Sequence, residues 1–138
     1  MLDTTMINLF HMAENASKNS YSPYSNFPVG AAIIVDDDSI ITGTNIENRS
    51  YGLTNCAERS AIFTAMSKGY RTIKAVAIVA PKSSYPVGPC GACRQVISEF
   101  ALSEDIPVWF GNTESNIVKT TIGELYPFDS LHELGNTN

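Results

Sequence analysis

The feature that most restricts how this chain can fold is a pair of short motifs, Cys56-Ala57-Glu58 and Pro89-Cys90-Gly91-Ala92-Cys93. Each stands where a loop gives way to a helical pattern. After Cys56, the apolar residues Ala57, Ala61, Ile62, Ala65 and Met66 recur at helical spacing, and Gly69 is a natural stop. After Cys90, Val96, Ile97 and Phe100 do the same until about Ala101. A cysteine at a helix start meets the positive end of the helix dipole and free backbone N–H groups, which favour the thiolate form. The Cys-x-x-Cys pair bends two sulfurs toward one point, and Cys56 can join them from the other helix start. A fold that uses all three must bring two helix N-termini together.

Three thiolates are a ligand count with a meaning. A structural zinc is usually closed by four protein ligands, whereas a catalytic zinc keeps one position open for water. The chain has three cysteines, and its two histidines, His11 and His132, lie near the ends, away from both motifs. Glu58 follows Cys56 by two residues, so its carboxylate can sit beside a metal-held water without being a ligand, in place for general acid–base work. Taken singly, each element has a plainer reading. Cys-x-x-Cys alone could be a thioredoxin-like redox pair or two buried thiols, and Glu58 alone an ordinary carboxylate at a helix start.

The rest of the pattern sets the architecture. Met6, Leu9, Phe10 and Ala13 form an apolar stripe on a helix expected from about Thr5 to Lys18, with Asp3 or Thr4 as its cap. Turn-rich Ser20 to Asn26 leads to two strands, Val29 to Val35 and Ile40 to Ile46, joined at Asp36-Asp37-Asp38 as a hairpin. Asn48 to Asn55 reads as loop. Lys74 to Ala80 reads as a strand buried on both faces, and Ile106 to Phe110 and Ile117 to Thr121 bring the strands to five. A short helix near Ile122 to Leu125 precedes a poorly defined tail. Helices alternating with strands predict a three-layer α/β/α sandwich around a mixed five-stranded sheet. At 138 residues, with no Pro/Gly-rich linker, one domain spanning residues 1–138 is expected.

Charge narrows the partners. The net charge is −5, and the nine basic residues are spread from Lys18 to Lys119 without a cluster. A protein that grips a polyphosphate backbone concentrates Lys and Arg on one face, so no nucleic-acid polymer is expected as a partner. No apolar run reaches the roughly 18 residues that span a bilayer. The N-terminus has no basic region followed by an apolar stretch, so no membrane association is expected and the reading is cytoplasmic, a compartment that suits three free thiols.

A cysteine or histidine ligand, a glutamate two residues on, and then Pro-Cys-x-x-Cys is the pattern of zinc deaminases acting on nucleobases. From Tyr21 to Leu125 the chain resembles the cytidine deaminase family, in its small form with three cysteine ligands. The resemblance runs through the segment from Tyr21 to Ala32 that holds Ser22-Pro23-Tyr24-Ser25-Asn26-Phe27-Pro28, then Asn45-Ile46-Glu47-Asn48, Asn55-Cys56-Ala57-Glu58-Arg59, and Pro89 to Val96. It implies one Zn²⁺ per chain on Cys56, Cys90 and Cys93, with Glu58 as the catalytic proton carrier. It implies that Asn45 and Glu47 bind the ribose, that Phe27 packs on the pyrimidine, and that backbone groups around Ala57 read the base edge. Arg59 would donate to two of the sulfurs and draw charge from a site of net −1, which keeps the metal a good Lewis acid. The family also implies a homotetramer in which Tyr51 reaches a neighbouring site. Pro127 and Phe128 are adjacent here, unlike the Pro-x-x-Phe of many relatives, and no role carries over to Phe128.

The activity so implied is hydrolytic deamination of cytidine and 2′-deoxycytidine to uridine and 2′-deoxyuridine with release of ammonia, in pyrimidine salvage. Two other enzymatic readings are a deaminase of a cytosine-bearing antibiotic of the blasticidin type and an editing deaminase on nucleic acid. Asn45 and Glu47 favour an ordinary ribose over the first, and the acidic charge disfavours the second. The non-enzymatic reading is a zinc-stabilised interaction module.

Overall fold

The computed structural model describes residues 2–132 and 134. Helix α1 (Leu2–Ser17) is followed by β1 (Gly30–Val35), β2 (Ile40–Thr44), a 3₁₀ turn (Tyr51–Leu53), α2 (Ala57–Ser67), β3 (Ile73–Val79), α3 (Gly91–Phe100), β4 (Pro107–Thr113), β5 (Asn116–Thr121) and α4 (Ile122–Leu125). The five strands form one sheet in the order β2-β1-β3-β4-β5. Only β3 and β4 run parallel, joined across α3; the other neighbours are antiparallel. The sheet is therefore mixed, as the pattern predicts. Among the described residues no helix is long and apolar enough to cross a membrane.

Period-two alternation along the central strands divides the apolar side chains between two layers. On one face Met6, Leu9, Phe10 and Ala13 of α1 pack against Ala32, Ala75, Ala77, Val79 and Trp109. On the other face Ala57, Ala61, Ile62 and Ala65 of α2 and Ile97 of α3 pack against Ala31, Ile33, Val35, Val76, Ile78 and Val108. Burial on both faces explains why β3 reads as a nearly continuous apolar run. Val96 and Phe100 of α3 are only partly buried and lie at the margin of that core.

The termini of the elements follow local chemistry. Gly69 sits at φ +98 beyond α2, and the N–H of Tyr70 returns to the Ala65 carbonyl at 3.1 Å, a turn that a left-handed residue permits. The Asp36–Asp38 turn is tied to the start of β3 by Asp36, which accepts the N–H groups of Arg71 (3.1 Å) and Thr72 (2.8 Å).

Three sequence expectations shift. Helix α1 begins at Leu2, so Asp3 and Thr4 lie in its first turn and do not cap it; a carboxylate there is favourable with the dipole, and Asp3 also pairs with Lys119 of β5 at 3.3 Å. Strand β2 leaves β1 after Thr44, and the chain then changes partners: Ile46 bridges Tyr21 on one side and Asn55 on the other. Of the tail expected to be poorly defined, residues 126–132 and 134 are described and the rest lies outside the described residues. Within that part Asp129 is tied to α3, accepting from Ser98 Oγ at 2.6 Å, and also accepts the Leu131 N–H at 2.9 Å.

Candidate active site

Helices α2 and α3 carry the chemistry at their first turns. Cys56 and Cys90 are the residues just before each helix, both with extended backbone, and Cys93 lies in the first turn of α3. The N-terminal end of α2 is pressed against β2 at Gly43, where a Cβ would stand 2.3 Å from the Ala61 nitrogen and 2.7 Å from the Ala57 oxygen. A glycine there lets helix and strand backbones touch, which fixes the height of Cys56 and Glu58 above the sheet.

The three sulfurs converge. Cys56 Sγ lies 3.9 Å from Cys90 Sγ, Cys90 Sγ lies 3.5 Å from Cys93 Sγ, and all three are within 4.8 Å of one another. Tetrahedral zinc with bonds of about 2.3 Å sets its sulfurs about 3.8 Å apart. The donor set, its number and its spacing thus fit zinc. Cys93 is buried, Cys56 half-buried and Cys90 exposed, so the cluster opens on the Cys90 side.

The electrostatics of the cluster suit cation binding. The Cys93 thiol beside it and the Arg59 guanidinium hold the Cys56 thiol down at about 5, against the opposing effect of burial. Arg59 Nη2 donates to Cys56 Sγ at 3.2 Å. The hydrogen bond to Cys56, together with burial, raises Cys93 well above the usual thiol range. Glu58, 4% exposed, is one of two buried polar or charged side chains among the described residues. Burial pushes its carboxyl up to about 7, and the neighbouring Cys56 charge adds to the effect.

A second constellation lies in the segment from Ser20 to Val29. Asn45 Nδ2 donates to the Phe27 carbonyl at 2.8 Å, while its Oδ1 accepts from the Val29 N–H at 2.9 Å and from the Ser20 hydroxyl. Glu47 Oε1 accepts the N–H groups of Tyr24 (2.9 Å) and Ser25 (3.2 Å), and Oε2 accepts the Ser25 hydroxyl. Ser25 Oγ in turn accepts the Phe27 N–H at 3.1 Å. Phe27 is half-buried and belongs to neither apolar cluster.

Ile46 joins the two constellations. It exchanges both backbone hydrogen bonds with Asn55 at 2.9 Å, and Asn55 immediately precedes Cys56. Asn45 and Glu47 are thus tied directly to the loop that delivers the first sulfur. The Ala57 methyl is fully buried in the core, which leaves only its backbone for other work.

Tyr51 stands apart, 73% exposed, with its ring edge-on to Tyr24 at 5.7 Å. Ser25 and Arg94 were not singled out from the sequence. Both act through hydrogen bonds to groups far away in sequence, Glu47 for Ser25 and Leu125 for Arg94, and only their positions inside the two longest motifs point to them. Two concavities, of about 600 Å³ beside the end of α3 and about 440 Å³ between α1 and β2, are lined by none of Cys56, Glu58, Cys90, Cys93, Phe27 or Glu47.

Comparison with known proteins gives a consistent picture. The family model described as the cytidine and deoxycytidylate deaminase zinc-binding region matches residues 3–108. A cytidine deaminase of Sporosarcina psychrophila is 50% identical over 115 residues, 83% of this chain and 83% of that protein. A cytidine deaminase of Halalkalibacterium halodurans is 50% identical over 119 residues, 86% of this chain and 89% of that protein. The crystal structure of the cytidine deaminase from Burkholderia pseudomallei superposes with a TM-score of 0.81 at 43% identity, covering 87% of this chain and 94% of that one.

Proposed function

The chain belongs to the cytidine and deoxycytidylate deaminase family, and from that premise we infer that it hydrolyses the exocyclic amine of cytidine and 2′-deoxycytidine. Water enters, the C4–N bond breaks, and uridine or 2′-deoxyuridine and ammonia leave. The observation that carries this reading is a buried carboxyl group, Glu58, that interacts with Cys56 and Cys93 of three convergent cysteines. Cys56, Cys90 and Cys93 would hold the zinc, which would supply Lewis acidity and lower the pKa of water from about 15.7 toward about 7.

Glu58 does the proton work. Its carboxyl is buried beside the sulfur cluster, where desolvation favours the neutral form, and it is placed to accept a proton and give it back. It takes a proton from the attacking water and places it on ring N3 so that C4 becomes electrophilic. It then takes the remaining proton of the added hydroxyl and delivers it to the amine, so that the C4–N bond breaks, ammonia leaves and C4 becomes a carbonyl. Arg59 draws negative charge from the sulfurs through its bond to Cys56.

Substrate is held by the second constellation. Asn45 has one amide N–H left after bonding Phe27, and Glu47 has acceptor capacity left on Oε2 after bonding Ser25. That remaining pair suits the hydroxyls of a ribose. Phe27 packs on the pyrimidine face, and the backbone around Ala57 reads the polar edge of the base. The exposed Cys90 side of the cluster and the exposed ring of Tyr51 suit a homotetramer in which each copy's Tyr51 helps close a neighbour's cleft. The unclustered acidic charge supports a small nucleoside as substrate over a nucleic-acid polymer. A single-domain cytoplasmic enzyme of pyrimidine salvage is the role that fits these features.

The test is an absorbance assay on cytidine and deoxycytidine, run beside ammonia and zinc measurements. Loss of the long-wavelength cytidine absorbance with equimolar ammonia, at one zinc per chain, is the expected result. Zinc without turnover would favour a zinc-stabilised module instead.

A further inference from the structure

Cys90 is the most exposed of the three sulfur ligands, and it follows a loop with little to hold it. Among the described residues, the hydrogen bond that anchors residues 86–89 is made by Arg94, whose Nε donates to the Pro89 carbonyl at 2.8 Å. The same guanidinium reaches the other way: its Nη1 donates to the Leu125 carbonyl, at the end of α4, at 2.9 Å. On the opposite side of the loop, Gly88 lies against the ring of Phe110, where a Cβ would stand 3.3 Å from the nearest ring carbon.

Arg94 is an odd residue for its place. It is the fourth residue of α3, close to the positive end of the helix dipole, where a cation is disfavoured by about 0.3–1 kcal/mol. Two charge-assisted bonds to carbonyls offset that cost. The planar guanidinium presents Nε and Nη1 at a fixed angle, so the two carbonyls it joins are held at a fixed separation.

We propose that Arg94 is a positioning residue of the metal site, setting Cys90 through the Pro89 carbonyl and coupling it to the end of α4. The inference rests on zinc occupying the three cysteines. Cys93 is held within α3 and by burial, whereas Cys90 is tied to the helix by its carbonyl, which accepts the Arg94 backbone N–H at 2.9 Å, and the backbone on its other side is fixed through Pro89. Loss of the Arg94 bond therefore frees one ligand selectively and lets the metal escape through the exposed side.

The test is the rate at which zinc passes from the folded, zinc-loaded protein to a chromophoric chelator. Arg94→Lys keeps the charge but cannot span both carbonyls, and its release should be about ten-fold faster or more, the range seen when groups supporting a metal's ligands are removed. Arg94→Gln should behave alike. Ser98→Ala, which loses only the bond to Asp129, should release zinc at the wild-type rate. With cobalt(II) in place of zinc, the Arg94→Lys protein should show a weakened sulfur-to-metal charge-transfer band, while wild type and Ser98→Ala match. Release from Arg94→Lys at the wild-type rate overturns the proposal, as does equal acceleration in Ser98→Ala, or loss of the fold by circular dichroism in both Arg94 variants. A wild-type protein that binds no zinc would instead overturn the metal reading itself.

Discussion

Cys56 and Cys90 hold equivalent places, each the last extended residue before a helix, and their sulfurs meet at 3.9 Å although 34 positions separate them in the chain. Neither side chain caps its own helix. Both are turned from the usual duty of a residue at that position toward a shared point, and Cys93 completes the triangle from inside α3. Two helices that pack on one face of the sheet are thereby linked at their N-termini.

Removal of one corner should undo that link. Cys93→Ala leaves two sulfurs, too few to hold zinc tightly, and metal binding contributes folding energy. Zinc content should fall to near zero and the melting temperature should drop, by metal analysis and calorimetry. One zinc per chain with normal activity in this variant would disprove the ligand assignment.

Ser25 bridges the two groups proposed to bind substrate, donating to Glu47 and accepting from Phe27. Its hydroxyl is also the largest influence holding the Glu47 carboxyl below its usual range. Ser25→Ala should raise KM for cytidine about 2- to 10-fold, the worth of one ordinary hydrogen bond, with zinc content unchanged and kcat little altered. Steady-state kinetics check this, and an unchanged KM would separate Ser25 from the substrate cleft.

At Gly30 a Cβ would lie 1.8 Å from the Ala13 carbonyl oxygen and 2.6 Å from the Ser17 nitrogen, so α1 rests directly on β1. Backbone cannot yield there as a side chain could. Gly30→Ala should destabilise the fold at or above the top of the about 1–3 kcal/mol range of overpacked cores. Gly52→Ala meets open space and should stay within about 0.5 kcal/mol of wild type. Denaturant midpoints of the two variants give the comparison.

Much of the molecule was legible because its signals are local. The helical spacing after Cys56 and Cys90, the doubly buried run of β3 and the short α4 each declare themselves within a dozen residues. Even the convergence of three cysteines follows from two helix starts. What stayed hidden depends on partners distant in sequence. The change of pairing at Ile46 comes from Tyr21 and Asn55, not from its own neighbours. Asn45 and Glu47 are expected to bind the ribose, yet the structure spends most of their hydrogen-bonding capacity on the loop around Phe27. The contact of Asp129 with α3 depends on Ser98, 31 positions before it in the chain. The start of α1 at Leu2 differs from the sequence expectation for another reason: Asp3 is as suitable in a first turn as it is for a cap.

Glu58→Gln tests the central claim most directly. Glutamine nearly matches glutamate in size, so the buried site should still fold and hold one zinc. An amide cannot accept the proton of water or relay one to N3 and the leaving amine, and general acid–base help is worth about 10²–10⁴-fold. Because Glu58 serves several steps, kcat for cytidine, followed by absorbance and ammonia release, should fall by the top of that range or more while zinc content stays at one per chain. A zinc-loaded Glu58→Gln protein that keeps more than about a tenth of the wild-type kcat, far outside that range, would contradict the account.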